Sequence, residues 1–105
     1  MTDPANKTVL ITGAGGGFGR EMVRQFKDAG SKLFLTDITD DAMRDVIDTA
    51  GDSLVAAVPA DLAKEAGINA VIQACNTHNT VPDILVNNAG LGTAGRLDHI
   101  PNEQW

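Results

Sequence analysis

Four short apolar runs punctuate the chain, at residues 8–12 (TVLIT), 32–36 (KLFLT), 54–58 (LVAAV) and 83–87 (DILVN). Each run is continuous rather than alternating. Strands buried on both faces read this way, so the runs predict a parallel sheet. Between them the apolar spacing becomes helical. Phe18, Met22, Val23 and Phe26 share one helical face, and Ala29-Gly30 supplies a glycine stop. Ala42, Val46, Ile47 and Ala50 form a second stripe ending at Gly51, with Thr39 and Asp40 as its candidate caps. Ile68, Val71, Ile72 and Cys75 form a third.

Strands alternating with helices call for parallel pairing through right-handed crossovers. The expected fold is α/β: a Rossmann-type sheet of four strands in the order 3-2-1-4, with helices on both faces. A Gly-rich loop from Gly90 to Gly95 follows the fourth run, and Pro101-Asn102 read as the opening of a fourth helix. The chain stops at Trp105, inside that helix. The expectation is therefore one domain over residues 1–105, incomplete at its C-terminal end and part of a longer chain.

Composition narrows the picture. At 105 residues there is room for one domain, and a 43% apolar content suits a packed core. A formal net charge of -6 argues against a nucleic-acid or anionic-membrane surface. Cys75 is the only cysteine, so no internal disulfide forms and a reducing compartment is expected. There is no signal-peptide pattern at the start and no apolar stretch near the ~20 residues of a membrane span. The cytoplasm is the expected location.

The candidate chemistry gathers where the strands end. Gly13-Ala14-Gly15-Gly16-Gly17-Phe18-Gly19 directly follows the first run and opens the first helix. A dinucleotide site needs that placement. Gly13 permits the tight turn, Gly15, Gly16 and Gly17 let backbone approach a pyrophosphate, and Gly19 lets helix and strand pack closely. The helix N-terminus adds unpaired N–H groups and a partial positive charge. Asp37 follows the second run, where a carboxylate can accept the adenosine ribose hydroxyls and repel a 2′-phosphate. The next residue is Ile38, and the glycine turn holds no basic residue. Both features favour NAD over NADP. Asp61-Leu62 ends the third run, within reach of an adenine edge, and Asn87-Asn88-Ala89-Gly90 ends the fourth, beside the point where the sheet order reverses.

These residues resemble the short-chain dehydrogenase/reductase family. The match lies in T-G-x-x-x-G-x-G at Thr12 to Gly19, the acidic Asp37, Asp61-Leu62, and N-N-A-G at Asn87 to Gly90. The resemblance implies that Gly13, Gly17, Phe18 and Gly19 line the pyrophosphate and that Asp37 holds the ribose. It places Asp61 and Leu62 at the adenine and Asn88, Ala89 and Gly90 at the ribose region. Thr12 would tie the glycine turn to the Asn87 strand. The family's helix asparagine, serine and Tyr-x-x-x-Lys pair all fall beyond the equivalent of Trp105. The chain has no tyrosine, and Ser31 and Ser53 sit at the opposite end of the sheet.

Two other clusters have ordinary explanations. Cys75-x-x-His78 with His99 could suggest a metal site, but a core cysteine and a helix-end histidine explain the pair. Asp40, Asp41, Asp45 and Asp48 read as a solvated helix face. The expected function is the NAD-binding part of an oxidoreductase that passes hydride between nicotinamide and an alcohol or carbonyl substrate. No catalytic residue and no metal ligand is assigned. The cofactor-binding set is Gly13, Gly15, Gly16, Gly17, Phe18, Gly19, Asp37, Ile38, Asp61, Leu62, Asn88, Ala89 and Gly90. The alternative is a non-catalytic NAD or adenine-nucleotide-binding module. Self-association is expected through the apolar edge of the fourth strand.

Overall fold

The computed structural model describes residues 5–88. Four strands, β1 (Thr8–Thr12), β2 (Lys32–Asp37), β3 (Leu54–Pro59) and β4 (Ile84–Asn87), alternate with three α-helices, α1 (Gly17–Asp28), α2 (Arg44–Ala50) and α3 (Glu65–Thr77). Short 3-10 turns, Asp41–Met43 and Gly51–Ser53, flank α2. The strands pair in parallel in the order β3-β2-β1-β4. Each apolar run became a strand with its ends moved by no more than a residue. The Gly90 to Gly95 loop, the helix expected from Pro101, Ala89 and His99 lie outside the described residues.

The pleat divides the core in two. Val9, Ile11, Leu33 and Leu35 face α1 and α2, where they pack with Val23, Met43, Val46 and Ala50. Phe34 faces the other way, against Ala60 and Val71 of α3. The sheet is thus covered on both faces. The inner strands are the drier ones: β2 is buried from Leu33 to Thr36, whereas β3 and β4 are half-buried edges among the described residues.

Helix ends follow local chemistry. At the end of α1, Gly30 takes a left-handed φ of 89°, its N–H donates to the Lys27 carbonyl at 2.9 Å, and the Ser31 N–H reaches Phe26 at 3.0 Å. This double bond pattern is a Schellman stop. α3 ends the same way with an asparagine: Asn79 has φ 54°, and the Thr80 N–H donates to the Cys75 carbonyl at 2.9 Å.

The expected stripes of α1 and α2 each lose one residue, and that of α3 is rotated. Phe18 is exposed rather than packed, because Gly19 takes the contact between α1 and the turn. Ala42 is exposed and Met43 is buried in its place, since the first turn before α2 is 3-10 and shifts the phase of the stripe. Thr39 does cap this turn, its hydroxyl oxygen accepting the Ala42 N–H at 3.1 Å, while Asp40 makes no side-chain cap bond. In α3, Val71 and Cys75 face the sheet but Ile68 and Ile72 are exposed. Gly67, Ala70 and Ala74 take the sheet side instead.

Candidate functional site

The carboxyl ends of the strands open on a cleft of about 330 Å³. It is lined by Gly13 and Gly16 from the turn after β1, Thr36, Asp37 and Ile38 from the end of β2, Asp61, Leu62 and Ala63 after β3, and Asn88 after β4. In a sheet of order β3-β2-β1-β4 this is the crevice where the chain reverses direction, the place open α/β sheets use for ligands.

The glycine turn is built from glycines with different tasks. Gly13 has φ 62°, a conformation that favours glycine. Gly15 and Gly19 are needed for space. A Cβ at Gly15 would lie 1.9 Å from the Ala42 carbonyl oxygen, and one at Gly19 would lie 2.3 Å from the Gly13 oxygen. Gly17 differs from both. A Cβ there would meet nothing within 4 Å, and its φ is not positive.

The backbone donors are divided in the same way. The Gly15 N–H donates to Asp37 Oδ2 at 2.9 Å, and the Gly16 N–H donates to the Gly13 carbonyl at 3.2 Å. The Arg20 N–H closes the first bond of α1 on the Gly16 carbonyl at 2.8 Å. The N–H groups of Gly17, Phe18 and Gly19 therefore have no intrahelical acceptor, as at any helix start. They stand at the positive end of the α1 dipole, which favours an anion.

Asp37 is held tightly. Its carbonyl accepts the Ala60 N–H at 2.8 Å, and Oδ1 accepts the Ile38 N–H at 2.7 Å while Oδ2 takes Gly15 at 2.9 Å. A carboxylate offers about four lone-pair sites, so about two are left unused by these bonds. Ile38 is exposed at its mouth. Asp61 partly caps its own loop, Oδ1 accepting the Ala63 N–H at 3.0 Å. A Cβ on Gly67, in the first turn of α3, would come within 2.0 Å of the Asp61 carbonyl oxygen. α3 thus sits flush against the loop that carries Asp61 and Leu62.

β4 joins the site through Thr12. The Thr12 hydroxyl donates to Asn87 Oδ1 at 3.0 Å and accepts the Asn88 N–H at 2.9 Å. This ties the end of β1 to the end of β4. Asn88 Nδ2 is buried and has no hydrogen-bond partner among the described residues. A buried unpaired amide costs about 1–3 kcal/mol, so it marks a place where a ligand acceptor would be satisfied.

The family model described as short chain dehydrogenase matches residues 7–105. The chain belongs to that family. It is 36% identical over 110 residues to the CLA biosynthesis dehydrogenase/reductase of Lactiplantibacillus plantarum, a match covering 100% of this chain and 37% of that protein. Among solved structures it resembles the 3-ketoacyl-(acyl-carrier-protein) reductase of Brucella melitensis complexed with NADH. That likeness has a TM-score of 0.69 and 37% identity, covering 78% of this chain and 34% of the other. The Pseudomonas aeruginosa RhlG/NADP active-site complex matches with a TM-score of 0.73 and 29% identity, over 95% of this chain and 42% of that one. The chain spans well under half the length of these relatives.

The structure brings Gly13, Gly16, Asp37, Ile38, Asp61, Leu62 and Asn88 to one cleft. Gly15, Gly17, Phe18 and Gly19 lie in the adjoining turn and first helical residues rather than on its lining. Ala89 and Gly90 lie outside the described residues. Thr36 and Ala63 line the cleft although sequence reasoning did not single them out. Gly67 was missed as well, and its signal was available: a glycine inside a helix is unfavourable unless backbone must approach closely.

The other clusters have ordinary settings. Cys75 packs with the Phe34 core, and burial pushes its thiol pKa up. The His78 ring meets Phe34 edge-on, with centroids 6.3 Å apart. Asp40, Asp41, Asp45 and Asp48 are exposed, with Asp41 paired to Arg44 and Asp45 to Arg20. Among the described residues no helix is long and apolar enough to cross a membrane.

Proposed function

We propose that this chain is the NAD(H)-binding portion of an oxidoreductase acting on an alcohol or carbonyl substrate. The observation that carries the proposal is an open α1 N-terminus adjoining a cleft lined by a fixed Asp37 carboxylate. The residues present fit the cofactor. Gly17 leaves its side toward solvent empty, a space a pyrophosphate can use, and the buried Asn88 Nδ2 offers an unpaired donor.

In this reading the N–H groups of Gly17, Phe18 and Gly19 hold the phosphates, and Gly13 and Gly16 shape the turn beneath them. Asp37 accepts the adenosine ribose hydroxyls through its remaining lone pairs. Ile38 and Leu62 flank the adenine, with Asp61 beside it. Asn88, with Ala89 and Gly90 by family resemblance, supports the second ribose. A bound nicotinamide supplies hydride transfer, while the protein supplies position and electrostatics. The preference for NAD rests on the negative charge of Asp37 and on the absence of a basic residue at Ile38 and in the glycine turn. The likeness to a reductase complexed with NADH supports a nicotinamide partner, and the RhlG/NADP complex shows that the fold serves both cofactors.

Gly17→Val tests the phosphate assignment cleanly. Apart from its own helix turn, a Cβ here meets nothing within 4 Å, and the φ is not positive, so the strained backbone one could fear at a glycine is not at issue. The variant is expected to melt close to the parent and to lose NADH binding in a fluorescence titration. A folded variant that binds NADH as the parent does would contradict the assignment.

A further inference from the structure

Gly15 sits where the glycine turn, the end of β2 and the 3-10 turn before α2 meet. Its N–H is spent on Asp37 Oδ2 at 2.9 Å, so it has no second proton to offer a phosphate. Its missing side chain leaves room for the Ala42 carbonyl, whose oxygen would lie 1.9 Å from a Cβ at this position. That carbonyl cannot retreat easily. The turn carrying it, Asp41–Met43, is anchored by Met43, which is wholly buried against the α1 and α2 face of the sheet. On the other side, Asp37 is fixed by the Ile38 N–H at 2.7 Å and, through its carbonyl, by the Ala60 N–H at 2.8 Å.

We propose that Gly15 is a positioning residue that selects the cofactor through Asp37. By packing under Ala42 it brings its N–H to the carboxylate and locks Asp37 in the orientation that accepts ribose hydroxyls and excludes a 2′-phosphate. A free carboxylate can rotate away from an incoming phosphate. One held at both oxygens cannot, so its repulsion and its ribose acceptors stay aimed at the same point. Discrimination then depends on steric fit at position 15 as well as on charge at position 37. This inference rests on the proposed NAD(H) site.

The test uses the full chain and three variants. Gly15→Ala keeps the charge of Asp37 but displaces the lock. Asp37→Asn keeps an acceptor for the Gly15 N–H and loses the charge, and Asp37→Ala loses both. NADH and NADPH affinities are measured by calorimetry, and protection of the Gly15 amide by hydrogen exchange. The expected result for Gly15→Ala is a loss of NADH affinity of about tenfold, the scale of one charge-assisted bond, with NADPH affinity unchanged or raised. The Gly15 amide is expected to stay protected in Asp37→Asn and to lose protection in Asp37→Ala. Unchanged affinities for both cofactors in a folded Gly15→Ala would overturn the proposal. So would equal Gly15 protection in Asp37→Ala and the parent, a comparison that decides the matter even if Gly15→Ala fails to fold. If the parent binds neither dinucleotide, the site assignment fails, while the exchange data still report on the lock.

Discussion

At the scale of single residues, the strongest determinant is Asp37. Its side chain caps the turn after β2 and, in the proposed site, also meets the ligand. One carboxylate oxygen takes the next backbone N–H and the other takes Gly15, leaving acceptor capacity for a ribose. Asp37→Arg removes the acceptors and supplies a cation suited to a phosphate. The NADH-to-NADPH preference is expected to fall or reverse, with a change of about 1.5–3 kcal/mol for NADH, the scale of hydrogen bonds to charged groups. Paired fluorescence titrations measure it, and an unaltered preference would contradict the role given to Asp37. The turn at Gly13 and the close packing at Gly19 were legible, but the division of labour among Gly15, Gly16 and Gly17 was not. Which glycine is packed, which is strained and which is open depends on neighbours distant in sequence, such as Ala42 against Gly15.

At the scale of elements, the strands were easy to read because each is a continuous apolar run, and burial on two faces requires no alternation. The helix faces were harder. In α3 the residues Gly67, Ile68, Ala70, Val71, Ile72, Ala74 and Cys75 are apolar around more than one side. Periodicity then offers two overlapping stripes and favours the bulkier one. Backbone approach decides otherwise, because Gly67 lets α3 lie directly on the Asp61 loop. The small-residue side faces the sheet, and Ile68 and Ile72 are left outside. Gly67→Ala is therefore expected to destabilise the fold by about 1–3 kcal/mol, the usual range for overpacking a closed contact, although alanine is the better helix former. Denaturant melts monitored by circular dichroism check the sign. A stabilised Gly67→Ala would mean that α3 does not press on the loop.

At the scale of the whole molecule, the sheet and its reversal point concentrate the candidate chemistry at one end, which is why four separated sequence signals converge on a single cleft. The edge of the described sheet carries a second consequence. β4 pairs with β1 on one side, and Leu85 is 45% exposed on the face that α3 leaves open. An apolar edge strand invites pairing with another chain. The 105-residue polypeptide is expected to self-associate, with a weight-average mass rising with concentration in sedimentation equilibrium. A monomer across the micromolar range would count against that expectation.

The central claim is that the cleft holds NAD(H) and disfavours the 2′-phosphate. Calorimetric titration of the 105-residue chain with NADH and, in parallel, with NADPH tests it most directly. Saturable one-to-one binding of NADH is expected, with NADPH bound at least about tenfold more weakly, since a hydrogen bond from the 2′-hydroxyl to Asp37 is replaced by like-charge repulsion. Equal or tighter binding of NADPH, or no binding of either dinucleotide by the folded chain, would contradict it.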